Sequence, residues 1–158
     1  MRAMMSKLKL TVNESKTRVS CLPEEKFDFL GYSFGRCYST KTGRPYLGTV
    51  PSKKRVQRIC RAISEETGRN MLLLDPGTVV GRLNRKMTGW ANYFCLGPVS
   101  KAWRTVERHA AARLRRWLCA KHKVRWPGYK RFPAESLHGE FGLAGLTARP
   151  HRLPWANA

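Results

Sequence analysis

Acidic side chains are scarce in this chain: 10 Asp+Glu stand against 31 Lys+Arg, a formal charge of +21 over 158 residues. Asp28 and Asp75 are the two aspartates, and neither has a carboxylate neighbour in the sequence. Metal-dependent nucleotidyl transfer draws on two or three carboxylates converging on paired Mg²⁺, so the residues for it are missing. The pairs Glu24-Glu25 and Glu65-Glu66 read as solvated surface pairs. Cysteine pairing is lacking as well. Cys21, Cys37, Cys60, Cys95 and Cys119 are odd in number, widely spaced and without a C-x-x-C, which argues for reduced thiols. Cys119-x-x-His122 has no second pair to complete a zinc site, and Cys119 reads as a buried thiol. No apolar run approaches the ~20 residues of a membrane span, and the opening MRAMMSKLKL lacks the apolar block of a secretory signal. That places the chain in a bacterial-type cytoplasm or an organellar matrix, and not outside the cell. Nor is there a phosphate-binding G-x-x-x-x-G-K-[ST] loop, a G-x-S-x-G elbow or an H-E-x-x-H helix. The four histidines are scattered, so none has a visible orienting partner. The expectation is binding chemistry, with no catalytic residues, no metal and no cofactor.

What the chain does have is cation. A folded protein cannot bury such an excess, so the charge sits on the surface and repels itself until a polyanion relieves it. Nucleic acid does so by counterion release. A membrane surface fits less well, because no basic amphipathic anchor or lipidation signal stands out. With 42% hydrophobic residues the chain has material for a core, and at this length it can bury roughly two-thirds of its unfolded surface.

The apolar pattern changes period near residue 51. Before it, KLKLTV (7–12) and Arg18 to Leu22 read as short strands, with a turn at 13–16 between them. FDFLGYSFG (27–35) reads as one aromatic strand with a bulge or close approach at Gly31, and Tyr46 to Val50 as its returning partner. After it, Ser52 is set to cap a helix whose stripe is Val56, Ile59, Cys60 and Ile63, ending near Gly68. Lys53, Lys54, Arg55, Arg58 and Arg61 coat the rest. A second helix opens at Asp75-Pro76, carries Leu83, Met87, Trp90, Ala91 and Phe94 on one side, and stops by Gly97-Pro98. A third begins at Ser100 and buries Trp103, Val106, Ala110, Leu114, Trp117 and Leu118. Trp90, Phe94, Trp103 and Trp117 read as core. Pro133 to His138 forms a further short helix, FGLAGL (141–146) packs back on the bundle, and ARPHRLPWANA is a basic strap. The fold class is α+β, with an N-terminal β-hairpin and short strands packed on a three-helix bundle followed by an irregular tail.

The candidate binding residues lie on the charged faces. Arg82, Asn84, Arg85, Lys86 and Asn92, on the outer side of the second helix, are cations and amides able to contact phosphate or base edges. Arg115, Arg116, Lys121 and Lys123 flank the third helix. Beyond it Trp126, Tyr129 and Phe132 are interleaved with Arg125, Lys130 and Arg131, a mixture that suits phosphate contact, with the rings either stacking on unpaired bases or tacking the loop onto the bundle.

Three motifs, LNRKMTGWANYF (83–94), RLRRWLCAKHKV (113–124) and GYKRFP (128–133), strongly resemble the maturase-specific region, or domain X, of group II intron-encoded proteins. The preceding LKLTVNESKTRVS and FDFLGYSFG are similar to the last palm segments of those proteins' reverse transcriptase. The resemblance implies a palm remnant over 1–50 and a thumb-like maturase region over 51–158, gripping intron RNA to assist its folding and splicing. It marks Leu83, Asn84, Gly89, Trp90, Asn92, Tyr93, Phe94, Arg115, Arg116, Trp117, Lys121, His122, Lys123, Tyr129, Lys130 and Arg131 as matching positions. It implies structured intron RNA as the partner, with DNA or a separate fingers-palm polypeptide as further partners and no membrane. The Tyr-Ala-Asp-Asp-type loop of intact relatives does not occur, so the chain resembles a carboxyl-terminal fragment unable to polymerise alone. A thumb acting in trans with a separate palm, and a non-functional fragment, are the alternatives.

Overall fold

Phe27–Phe29 (β1), Tyr32–Tyr38 (β2) and Pro45–Pro51 (β3) form an antiparallel sheet in chain order. They belong to a computed structural model that describes residues 20–39, 41–124 and 128–148, together with Lys7 and Lys9. The expected strand at 7–12 (apart from Lys7 and Lys9), the turn at 13–16, Arg125, Trp126 and the strap from 149 onward lie outside the described residues. Lys7 and Lys9 are not in strands, and the part of the expected strand at 18–22 that is described, residues 20–22, is not extended sheet either.

The run 27–35 is two strands, not one. Leu30 (φ 50°) and Gly31 (φ 87°) both adopt positive φ, the two-residue turn that matches the twist of a hairpin. The apolar pattern hides this reversal, because Leu30 in the turn is as greasy as the strands around it. Phe27 pairs with Phe34 and Phe29 with Tyr32, and the Phe27 and Phe34 rings stack 5.0 Å apart. β2 then pairs with β3 from Tyr32–Pro51 to Tyr38–Pro45.

Three main helices follow: α1 (Lys53–Glu66), α2 (Pro76–Tyr93) and α3 (Ser100–Lys121). Ser52 starts α1 through its backbone, its carbonyl accepting from Arg55 and Val56, while its hydroxyl makes no capping bond. Asp75 caps α2 as its position suggests, Oδ2 accepting from the Gly77 and Thr78 amides at 2.8 and 3.3 Å. α2 stops at Tyr93, a turn before Gly97-Pro98, and Phe94 folds inward to meet the sheet. Ile63, Val79, Leu83, Met87, Val106 and Leu114 are among the side chains sealed between the three helices. Phe94, Trp103 and Trp117 are buried as expected, whereas Trp90 is only partly covered.

α1 and α3 run side by side in the same direction. His109 Nε2 sits 3.0 Å from the Cys60 carbonyl, which can only accept, so this nitrogen carries the proton. The Ser64 hydroxyl is 2.9 Å away. One turn on, Arg113 donates from Nε to Thr67 Oγ1 and from Nη2 to the Ser64 and Thr67 carbonyls at 2.9–3.2 Å. The sheet is tied to the far end of α2 by reciprocal tyrosines. The Tyr32 hydroxyl donates to the Tyr93 carbonyl at 2.7 Å, and the Tyr93 hydroxyl to the Leu30 carbonyl at 2.9 Å. After α3 come two short helices, α4 (Gly128–Arg131) and α5 (Ala134–Gly139), and a tail whose Leu143 and Leu146 return to the core. The result is the expected α+β arrangement of a small sheet on a helical bundle.

Candidate nucleic-acid interface

α3 ends by turning outward. His122 donates its amide to the Leu118 carbonyl, Lys123 takes a positive φ of 52°, and Val124 closes back on the Cys119 carbonyl at 2.9 Å. The chain returns as α4, which lies so close to α3 that the backbone of Gly128 meets Cys119 Sγ and leaves no room for a β-carbon. Arg115 fastens this segment. It is 6% exposed, its Nε donates to the Phe132 carbonyl at 2.7 Å, and its guanidinium lies 4.1 Å over the Tyr129 ring. Phe132 is buried against the His122 and Phe141 rings. Held from beneath in this way, Lys130 and Arg131 project outward with the ring of Tyr129 exposed beside them.

The outcome is a cleft lined by His122, Lys130, Arg131, Phe132, Ser136 and Pro76, the first residue of α2. Glu140 is the one acid on its rim, and it accepts from the Ser136 hydroxyl at 2.7 Å. Cations above an apolar floor can hold phosphate while the floor accepts ribose or a base face.

The residues singled out from the sequence fall into distinct places. His122, Lys123, Tyr129, Lys130 and Arg131 come together at the end of α3, and Arg116 is exposed on α3 about two turns back. Arg115 is buried, and the half-buried Lys121 is committed to the protein's own backbone. Lys121 Nζ donates to the Leu72 and Leu74 carbonyls at 2.9 and 2.8 Å, tying the α1–α2 link to α3. Asn84 is occupied on both sides of its amide, giving to the Gly142 carbonyl and accepting from the Ala144 amide, each at 2.8 Å. Of the two roles the sequence leaves open for Phe132, stacking on a base or tacking the loop to the bundle, its burial fits the second.

On α2, Lys86 and Arg82 reach Glu66 at 2.8 and 3.6 Å. The Lys86 hydrogen bond, more than any other influence, holds the Glu66 carboxyl below the usual carboxylate range. Glu66 is therefore not half of a solvated pair, because its carboxylate joins α1 to α2. Arg85 is exposed on the same helix. Asn92 and Tyr93 sit at the other end of α2 from Pro76, about 25 Å from the cleft at 1.5 Å per residue. Burial, reinforced by the charges of Arg113 and Arg116, keeps the His109 imidazole below its usual range, against the opposing pull of its bond to Cys60.

Sequence reasoning treated the cations of α1 as a coat, yet Lys54, Arg58 and Arg61 line a surface depression of their own with Gln57 and Glu65. Their spacing of four and three was the available signal. Among the described residues no three His, Cys, Asp or Glu side chains converge as a metal site would require, and no helix is long and apolar enough to cross a membrane.

A search of curated proteins finds no match to the chain. Residues 56–132, from α1 through α4, match the model of the group II intron maturase-specific domain. The span ends at Phe132, whose carbonyl Arg115 holds. Over residues 56–132 the chain therefore matches the group II intron maturase-specific domain, the family to which the motifs at 83–94, 113–124 and 128–133 pointed.

Proposed function

We propose that the chain is an RNA-binding maturase module, and that the cleft at the end of α3 contacts intron RNA to assist splicing. The observation that carries this reading is the fastening of α4 by Arg115. A buried arginine locks down a surface segment whose outward residues are Lys130 and Arg131, so two cations are presented at little ordering cost on binding. Arg116, Lys123 and His122 extend the same basic surface, with Arg85 offering a further cation on α2. In this reading 51–158 is the maturase-specific thumb and 1–50 derives from a reverse transcriptase palm. No reaction is assigned to it.

The test is filter binding to the cognate intron and to an unrelated RNA of similar length, across a salt series. Specific binding appears as a tighter Kd for the intron at moderate salt. Lys130→Ala with Arg131→Ala should flatten the salt slope by about two units, near one per lost phosphate contact. Equal affinity for both RNAs, or an unchanged slope in the double variant, defeats the proposal.

One observation favours a second reading, a thumb acting in trans with a separate fingers-palm polypeptide. Phe29 (58% exposed) and Leu30 (65% exposed) join Tyr93 and Leu96 in an almost wholly apolar groove beside the sheet. Primer extension on mixing with a fingers-palm polypeptide is the expected result. No extension with a competent partner removes this reading.

A further inference from the structure

α1 carries Lys54, Arg58 and Arg61 on the side turned away from the core, each exposed. Spacings of four and three residues place them in one row along the helix. Other cations of the bundle already have partners within the protein: Arg113 at the end of α1, Lys121 on the α1–α2 link, and the half-exposed Lys86 and Arg82 on Glu66. Among the described residues, Lys54, Arg58 and Arg61 have no ion-pair partner, and the depression they line holds one acid, Glu65. An unneutralised row of cations on a rigid, well-anchored helix is a surface that gains from a polyanion and loses little order in meeting it.

We infer that the outer face of α1 is a second phosphate-backbone contact, reached by the same RNA that occupies the cleft. This rests on the RNA-binding reading above and adds geometry to it. α1 is parallel to α3 and in register with it, Cys60 lying opposite His109. His122, at the cleft, is thirteen residues beyond His109 along α3, about 20 Å at 1.5 Å per residue. A partner that touches both places must carry its phosphates over that distance without collapsing. The partner class is thus a helical or otherwise stiffened RNA segment, not a single flexible nucleotide or a short loop. At the ~1.7 Å of axis per charge of a DNA duplex the span corresponds to roughly six base pairs, and the more compressed A-form of RNA needs slightly more.

The experiment compares the full chain with two variants, Lys54→Gln/Arg58→Gln/Arg61→Gln and Lys130→Ala/Arg131→Ala. Each is measured on RNA hairpins of ~4 and ~12 base pairs, chosen to lie below and above the span set by the charge spacing. Thermal unfolding is followed alongside, and exposed positions of this kind should leave it within a degree or two. The expected result is that the α1 variant flattens the salt slope by two to three units on the long hairpin and leaves the short one as in the unaltered chain. An α1 variant that binds the long hairpin with an unchanged slope, while the cleft variant loses slope, overturns this inference and leaves the cleft reading standing. Failure of the unaltered chain to bind either hairpin or the intron defeats both. Loss of binding to phosphatidylserine vesicles with no change on RNA assigns the row to a membrane surface and overturns it as well.

Discussion

Arg115 and Arg116 are neighbours in the sequence with opposite expected phenotypes, and replacing each in turn by methionine separates anchoring from binding. Methionine keeps much of the apolar stem and removes the guanidinium. At Arg115 that deletes a charge-assisted bond of 2.7 Å and leaves the Phe132 carbonyl without its donor in a buried setting. Such a loss is typically about 1.5–3 kcal/mol. The cation stacked 4.1 Å over Tyr129 adds about 0.5–1 kcal/mol, since that ring is partly wet. Together the change should destabilise the fold by about 2–4 kcal/mol. For a chain of this size that lowers Tm by roughly 4–15 °C, at about 2–4 °C per kcal/mol. At Arg116, exposed on the next position, Tm should stay nearly constant, as surface substitutions usually move stability by less than ~0.5 kcal/mol. There the salt slope for intron RNA should fall by about one unit instead. Urea and thermal unfolding followed by circular dichroism give the first measurement, and filter binding below the lower Tm gives the second. Equal melting temperatures for the two variants would refute the reasoning, because they would mean that Arg115 does not fasten α4.

Two further expectations concern acid. The His109 imidazole is kept below its usual range, so its contribution to stability is complete above about pH 6.5 and declines as pH falls through the lower folded value. His109→Gln should remove that early decline in urea midpoints, and an identical pH profile would show that His109 is not its source. The Glu66 carboxyl is also depressed, so its contribution is present above about pH 4.3 and fades as pH drops through the folded value. Glu66→Gln should lower the midpoint near neutrality and shrink the gap to the unaltered protein under more acid conditions. A gap that is constant with pH would contradict the assignment.

The amino-acid pattern alone determined that this is a strongly basic protein, with strands before residue 51 and amphipathic helices after it. Asp75-Pro76 set the start of α2, and the stripes of α1 to α3 set which faces are buried, because helical periodicity and capping are local properties that each segment carries by itself. The family was legible as well, since its motifs are short and contiguous. The tertiary structure decided which charged residues are available to a partner. Arg115 and Arg116 are indistinguishable as letters, yet a rotation of about 100° per residue puts one beneath α4 and the other in solvent. Asn84, Lys121 and Glu66 are likewise drawn into contacts with segments far away in the chain, which no local pattern encodes. The Leu30-Gly31 reversal escaped for a related reason, as a turn made of apolar residues breaks no periodicity and is fixed by its docking under Tyr93. Polarity says what a side chain can bond to, and only the packed fold says whether the bond is already made.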